Sequence, residues 1–421
     1  MATATETILA RHDAFMTNNY ARVPVAMVRG EGAYLWDAEG LQILDLFAGF
    51  GAPILGHCHP ELVATVHAQA QKLWHVGNLL HTEPQTKLAE AISKHAAAGS
   101  KCFFSQTGAD ANEAAIKLAR LYGNKHPGKS PHGHRYGIVT ATASFHGRSF
   151  ATMGATGQPK IREGFEPIVP GFSYAPFNDI EALKATIDDN TVAVMLEPIQ
   201  GEGGVNVPQN GYLEAVRALC DERDLLLICD EVWTGVARTG RAFAHQLFNV
   251  TPDIFTLAKG AGGGLALGVM VCLGKHADLF DWRTHGRAVH GTTLGGNCLT
   301  AAVGAKIWEI VDRDGLIERS ARLGDKLKAD MRAMQARLGA AGCGVITDVR
   351  GCGLFVGVEL DNSKLKPELK DAPGVFKECL KRGLLINATQ GTTLRIAPCL
   401  TVTEAQMDAG LAILEGVLAG R

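Results

Sequence analysis

No apolar run in this chain approaches the ~20 residues that a membrane-spanning helix requires, so a helical membrane protein is not expected. Excess positive charge is missing too. Forty-one Lys and Arg face 43 Asp and Glu, for a formal net charge of -2, and the basic residues are dispersed. That leaves no electrostatic footprint for a nucleic-acid partner. The ten cysteines have no regular spacing, and a chain of this length needs no disulfide staples. Cys229 and Cys272 lie inside apolar runs, where a free thiol packs as a small hydrophobe. A reducing, cytoplasmic setting is therefore the expectation. The start, MATATETILARHD, lacks the charged lead and apolar centre of a signal peptide. There is no internal repeat and no low-complexity segment. His57, Cys58 and His59 have no second ligand cluster at suitable spacing, and zinc takes three or four ligands, so no metal is expected. Pro60 after His59 reads instead as the first turn of a helix to about Trp74.

What is present points to an α/β protein. With 421 residues, the chain exceeds one ordinary core. The expected division is 1–60 as an N-terminal segment joining a small domain, 61–310 as a large domain, and 311–421 as a small α+β domain. Three short apolar runs stand out. Val192 to Leu196 leads to Glu197, Leu225 to Cys229 to Asp230, and Asp253 to Ala258 to Lys259. Such runs suit strands buried on both faces of a parallel sheet, and ligands of such sheets gather outside the carboxyl ends of the strands. Tyr212 to Glu222 reads as the crossover helix that a parallel connection needs. An amine and two carboxylates then share one crevice. A desolvated Lys259 is a candidate imine-forming nucleophile, and Asp230 could hold a protonated ring nitrogen. A turn-capping Asp and a solvated Lys are the plainer alternative.

Lys101 to Ser105, then Gln106-Thr107-Gly108-Ala109, then a helical run give strand, turn and helix. Free amides at such a helix start make an anion site or a simple N-cap. Gly123 to Ser130 matches the phosphate-loop pattern GxxxxGK[ST]. It follows a helix rather than a strand, however, and His132-Gly133-His134 is poor helix material, so a surface loop is expected.

DEVWTGVARTG followed by TPDIFTLAKGAGGG resembles the class III, fold-type I pyridoxal-phosphate aminotransferases, most closely those of acetylornithine and ornithine. LWHVGNLLHTEP is most similar to the acetylornithine group, and the likeness spans nearly the whole chain. It implies a large domain with a mostly parallel central sheet, and pyridoxal 5'-phosphate held by Lys259 with Asp230 on its ring nitrogen. Thr107, Gly108 and Ala109 would take the phosphate, Phe145 and Val232 would sandwich the ring, and His146 and Trp233 would lie against the cofactor. Thr293, with Thr292 beside it on the substrate side, would reach the site of a second subunit, which makes the protein a homodimer with shared active sites. Tyr20, Phe50, Arg148, Glu202 and Arg395 would contact substrate. Glu202 would cover Arg395 until the α-carboxylate of a keto acid arrives. Core packing for Phe145 and Phe50, an N-cap for Thr292 and Thr293, and a surface salt bridge for Glu202 and Arg395 remain open on the residues alone.

The implied reaction moves the terminal amine of N2-acetylornithine to 2-oxoglutarate, in arginine biosynthesis. Ornithine, succinylornithine or 4-aminobutyrate are alternative donors. A pyridoxal-phosphate aminomutase or decarboxylase, or a phosphate-loop nucleotide binder, are more distant readings. Three departures from the family pattern stand out. Phe50 stands where ornithine-specific members tend to have Tyr, and Gln106-Thr107 where Asn-Ser is commoner. Trp233 replaces a Gln that contacts the cofactor's phenolic oxygen, and an indole donates one hydrogen bond but accepts none.

Overall fold

A computed structural model describes residues 2–420. The N-terminal helix Ala4–Phe15 leads into three strands, β1 (Met27–Glu31), β2 (Tyr34–Asp37) and β3 (Gln42–Asp45). The Asp37 carboxylate accepts from the Glu39 and Leu41 amides and so builds the turn between β2 and β3. Next come β4 (Lys101–Ser105), β5 (Gly137–Ala141), β6 (Phe172–Ala175), β7 (Thr191–Leu196), β8 (Leu226–Asp230), β9 (Ile254–Leu257) and β10 (Gly268–Cys272). They form one seven-stranded sheet in the order β4-β10-β9-β8-β7-β5-β6. All neighbours from β9 to β6 are parallel, whereas β10 runs antiparallel to both β9 and β4. The remaining strands are β11 (Ile346–Cys352), β12 (Phe355–Leu360), β13 (Leu384–Leu385), β14 (Asn387–Thr389) and β15 (Thr393–Ile396). β11, β12, β15 and β14 make an antiparallel sheet, while β13 pairs in parallel with β3. Early and late parts of the chain thus share a sheet.

Every residue of β7, β8, β9 and β10 is buried. Alternation sends Leu226 and Ile228 to one face, against Ala115, Ile116 and Ala119 of the helix Gly108–Lys125. Leu227 and Cys229 go to the other, with Leu213, Val216 and Leu219 of the helix Tyr212–Glu222. Both faces being covered explains why these strands read as unbroken apolar runs. All ten cysteines are unpaired. Among the described residues no helix is long and apolar enough to cross a membrane, and no group of three or more His, Cys, Asp or Glu could hold a metal ion. His57 pairs through Nε2 with the buried Asp45 at 2.8 Å.

The helix after Pro60 stops at Ala70, four residues short of the expected end. Leu73 and Trp74 are exposed, so no burial holds a further turn, and the Trp74 indole N–H donates to the Ala70 carbonyl instead. The phosphate-loop look-alike is a helix end and a loop. Gly123 to Lys125 still belong to the long helix, and the Ser130 hydroxyl bonds His134 O and Asn190 Oδ1. Gly123 instead permits a close backbone approach, since a Cβ there would lie 2.0 Å from Arg135 O. Ala in place of Gly normally favours a helix by about 1 kcal/mol. Here the backbone contact reverses the sign, and Gly123→Ala should destabilise by about 1–3 kcal/mol, seen as a lowered melting temperature.

Candidate functional site

The ends of β7, β8 and β9, neighbours in the sheet, bring Glu197, Asp230 and Lys259 together along one cleft of about 480 Å³. Asp230 closes β8 and is buried. Its Oδ2 accepts from Asn112 Nδ2 and pairs with His146 Nδ1, both at 2.8 Å, and its Oδ1 accepts from the Val232 amide at 3.0 Å. Asn112 also donates to His146 O and accepts from the Thr256 hydroxyl of β9. The carboxylate is thereby fixed in position and compensated for its lost water.

Lys259 follows β9 in a left-handed turn, with φ of 43°, a conformation that non-glycine residues adopt rarely and most often at functional sites. Burial lowers its pKa to about 7; Arg395 adds to that shift, while Glu202, Asp230 and Glu197 oppose it. Burial likewise pushes Glu197 up to about 7, against the opposing effect of His146 and with help from Asp230. The two Glu197 oxygens accept from the amides of Phe145 and Gly201, each at 2.9 Å. One carboxyl group thus ties the Phe145 loop to the turn that carries Glu202.

Gly108, Ala109, Phe145, His146, Arg148, Val232 and Trp233 all line the cleft, as does Thr107. The Thr107 hydroxyl is already engaged: it accepts from the Asp110 amide and donates to the Asp110 carboxylate in a capping box. The Gly108 and Ala109 amides, in the first turn, have no partner within the helix. Arg148 is exposed, with its guanidinium carbon 5.5 Å from the Phe145 ring centroid.

Glu202 and Arg395 meet at 2.8 Å. Arg395, on β15, is buried, and its Nε and Nη2 both donate to Asn387 Oδ1. Burial would raise the Glu202 pKa, but Arg395 reverses this and holds it below the ordinary value. Phe50 sits in a left-handed turn, half exposed, with its ring 5.9 Å from the Arg395 guanidinium carbon.

Phe50, Glu202 and Arg395 adjoin the cleft through Trp233 rather than line it, and three expected residues lie apart from both within one chain. Tyr20 is 68% exposed, under Arg22. Thr292 and Thr293 line a separate cavity with Asn78, Gln85 and Phe104. The Thr292 hydroxyl hydrogen-bonds the Gln106 amide group, which itself lines the Lys259 cleft. Sequence reasoning missed Asn112, Thr256 and Asn387, which position other side chains. Asn112 lies on the helix that follows the Gly108 turn, one turn past the candidate phosphate amides, and that spacing was the available clue.

The residues fit a group with an aldehyde, a basic ring nitrogen and a phosphate. They offer one amine of depressed pKa, one fixed buried carboxylate, and free amides at a helix start. Only neutral amine attacks an aldehyde. Lys259 should therefore react faster as pH rises from about 6 to 8, then level off. Stopped-flow absorbance of the apoprotein mixed with pyridoxal 5'-phosphate checks this. A rate still climbing tenfold per unit at pH 9 would mean an ordinary lysine.

The model of the class-III aminotransferases matches residues 15–418. The acetylornithine aminotransferase of Caldanaerobacter subterraneus subsp. tengcongensis is 43% identical over 404 residues, 96% of this chain and 97% of that protein. The N-acetylornithine aminotransferase structure from Stenotrophomonas maltophilia superposes with a TM-score of 0.80 at 32% identity, covering 98% of both chains. An ornithine aminotransferase structure from Toxoplasma gondii, described with partial occupancy of PLP at its active site, gives 0.89 at 28% identity, covering 99% of this chain and 94% of that one. With the family model matching nearly its whole length and relatives of this identity, the chain belongs to the class-III aminotransferase family.

Proposed function

We propose that the protein is a pyridoxal 5'-phosphate-dependent transaminase that moves the terminal amine of N2-acetylornithine to 2-oxoglutarate, giving N-acetylglutamate 5-semialdehyde and glutamate. The observation that carries the reading is the Lys259 amine, near neutral pKa, beside a fixed Asp230 carboxylate at adjacent strand ends. The substrate assignment is supported by the activity named for its relatives. It is supported also by the paired Glu202 and Arg395, and by Phe50 where ornithine enzymes tend to carry Tyr. Arginine biosynthesis in the cytoplasm is the corresponding setting.

When bound, pyridoxal phosphate supplies an electron sink for the substrate carbon that loses a proton. Lys259 would supply the amine that holds the aldehyde, and the same amine would carry a proton to and from that carbon. A pKa of about 7 serves both directions. Asp230, oriented by Asn112 and His146, would hold the ring nitrogen protonated. Phe145 and Val232 would cover the ring faces, Trp233 would border the ring, and the Gly108 and Ala109 amides, with the Thr107 hydroxyl once turned from Asp110, would receive the phosphate. Arg148 binds the donor's carboxylate in the fork geometry suited to that group. Glu202 neutralises Arg395 while the donor is bound, then yields it to the α-carboxylate of 2-oxoglutarate.

A second copy of the chain completes the site in this reading, bringing Thr293 to the phosphate and Thr292 to the substrate side. Their position outside the Lys259 cleft of one chain supports that, as do the exposed apolar side chains of Leu79, Leu80 and Leu294 near the Thr292 cavity. The division at residues 60 and 310 then separates a cofactor-holding unit from parts that carry Phe50 and Arg395.

Lys259→Ala should abolish the visible absorbance of the loaded protein and its borohydride-fixed mass adduct, and lower turnover on the order of 10³-fold or more. An unchanged spectrum would refute the assignment. Across ω-amines, the half-reaction kcat/KM should be largest for N2-acetylornithine, and a larger value for ornithine would move the assignment there. Analytical ultracentrifugation should give twice the mass of one chain.

A further inference from the structure

Trp233 is the residue of the cleft to which the reaction above gives no chemical role. It is 6% exposed and lies in a slot that two glycines keep open. A Cβ on Gly201 would lie 2.7 Å from its Cδ1, and one on Gly51 2.8 Å from its Cζ3. The indole stacks on Phe355 with centroids 4.9 Å apart and planes 12° from parallel. Two cations share the ring: Lys259 Nζ is 4.1 Å from its centroid and the Arg395 guanidinium carbon 5.3 Å. Its Nε1–H is buried and meets no acceptor at hydrogen-bonding geometry.

The nearest use for that donor is Glu202. Glu202 follows Gly201, where a Cβ would lie 3.1 Å from the indole Nε1, and it pairs at 2.8 Å with Arg395, which sits over the same ring. The two partners of the ion pair differ in freedom. Arg395 is fixed by Asn387 Oδ1, by Gly201 O at 3.1 Å, and by the rings of Phe47, Phe50 and Trp233. Glu202 is anchored through its backbone, whose carbonyl accepts from Thr389 Oγ1 and Gln390 Nε2, while its side chain is 26% exposed. When the pair opens, Glu202 is the partner that turns. A buried N–H without an acceptor is costly, and Glu202 is the carboxylate next to this slot with freedom to turn toward it.

We propose that Trp233 is a positioning residue for substrate choice: its indole N–H draws Glu202 onto Arg395 and so disfavours any incoming carboxylate that must displace Glu202. The proposal rests on the transaminase reading for the nature of that incoming group. It gives this chain a bias toward amines presented without a free α-carboxylate and a raised KM for the dicarboxylate partner.

The test uses the loaded protein and glutarate, a dicarboxylate that cannot react. Calorimetry should show glutarate binding several-fold tighter to Trp233→Phe than to the unaltered protein. Glu202→Gln should also bind it more tightly, and the double variant no more tightly than Glu202→Gln alone, because a neutral amide makes no ion pair with Arg395 for the indole to reinforce. In half-reactions, Trp233→Phe should shift the ratio of kcat/KM for glutamate over acetylornithine several-fold upward, through KM. Weaker or unchanged glutarate binding, or independent effects in the double variant, would overturn the proposal. An observation on the unaltered indole guards against a misfolded variant. One of the five Trp indole ¹⁵N–¹H resonances should move on Glu202→Gln, and again when glutarate binds the unaltered protein; five unmoved resonances would overturn the proposal as well. If the unaltered protein takes up no pyridoxal phosphate, the transaminase reading itself fails, and this inference with it.

Discussion

A carboxylate taken out of water at the end of a buried strand constrains this whole site. Asp230 sits at the close of β8 and is compensated by three donors drawn from three separate segments: Asn112 from the helix after β4, His146 from the loop after β5, and the Val232 amide just beyond the strand. Each donor must be delivered by its own element, so the sheet order and the first long helix are fixed by one group's need for partners. Thr256 of β9 extends the same network through Asn112 to the strand that presents Lys259. Cofactor side and nucleophile side are thus one hydrogen-bonded unit.

The opposite half of the cleft works differently. Glu202 and Arg395 neutralise one another with a desolvation penalty that an ion pair in such a place recovers only in part. That makes the pair a poor stabiliser of the fold. Glu197, with one oxygen on the Phe145 amide and one on Gly201, links the two halves.

Much of this was legible in the sequence, for a physical reason. Strands buried on both faces have no room for polar residues, so Glu197, Asp230 and Lys259 stand out as charges at the ends of apolar runs. The same logic does not reach Asn112, because a polar residue in a helix reads like a solvated face until the sheet it packs on is known. Nor does it reach Asn387, whose role depends on the register of β14 with β15. The cradle at Thr107 is half legible: strand, turn and helix are plain, but the engagement of the Thr107 hydroxyl by Asp110 shows only in the folded chain. The helix after Pro60 reads too long because Leu73 falls at core spacing, yet nothing packs against it. Tyr20, Thr292 and Thr293 rest on family likeness alone, since local pattern gives none of them a distinct signal.

The parallel pairing of β13 with β3 has a consequence for the order in which the molecule is made. Leu44 lies opposite Leu384, so the first sheet cannot be completed until almost all of the chain has left the ribosome. Closing so long a loop is entropically slow, whereas the elements that hold Asp230 and Lys259 lie close together in the middle of the chain. During synthesis, the sheet that carries Asp230 and presents Lys259 can therefore assemble while the late strands that carry Arg395 are still unmade.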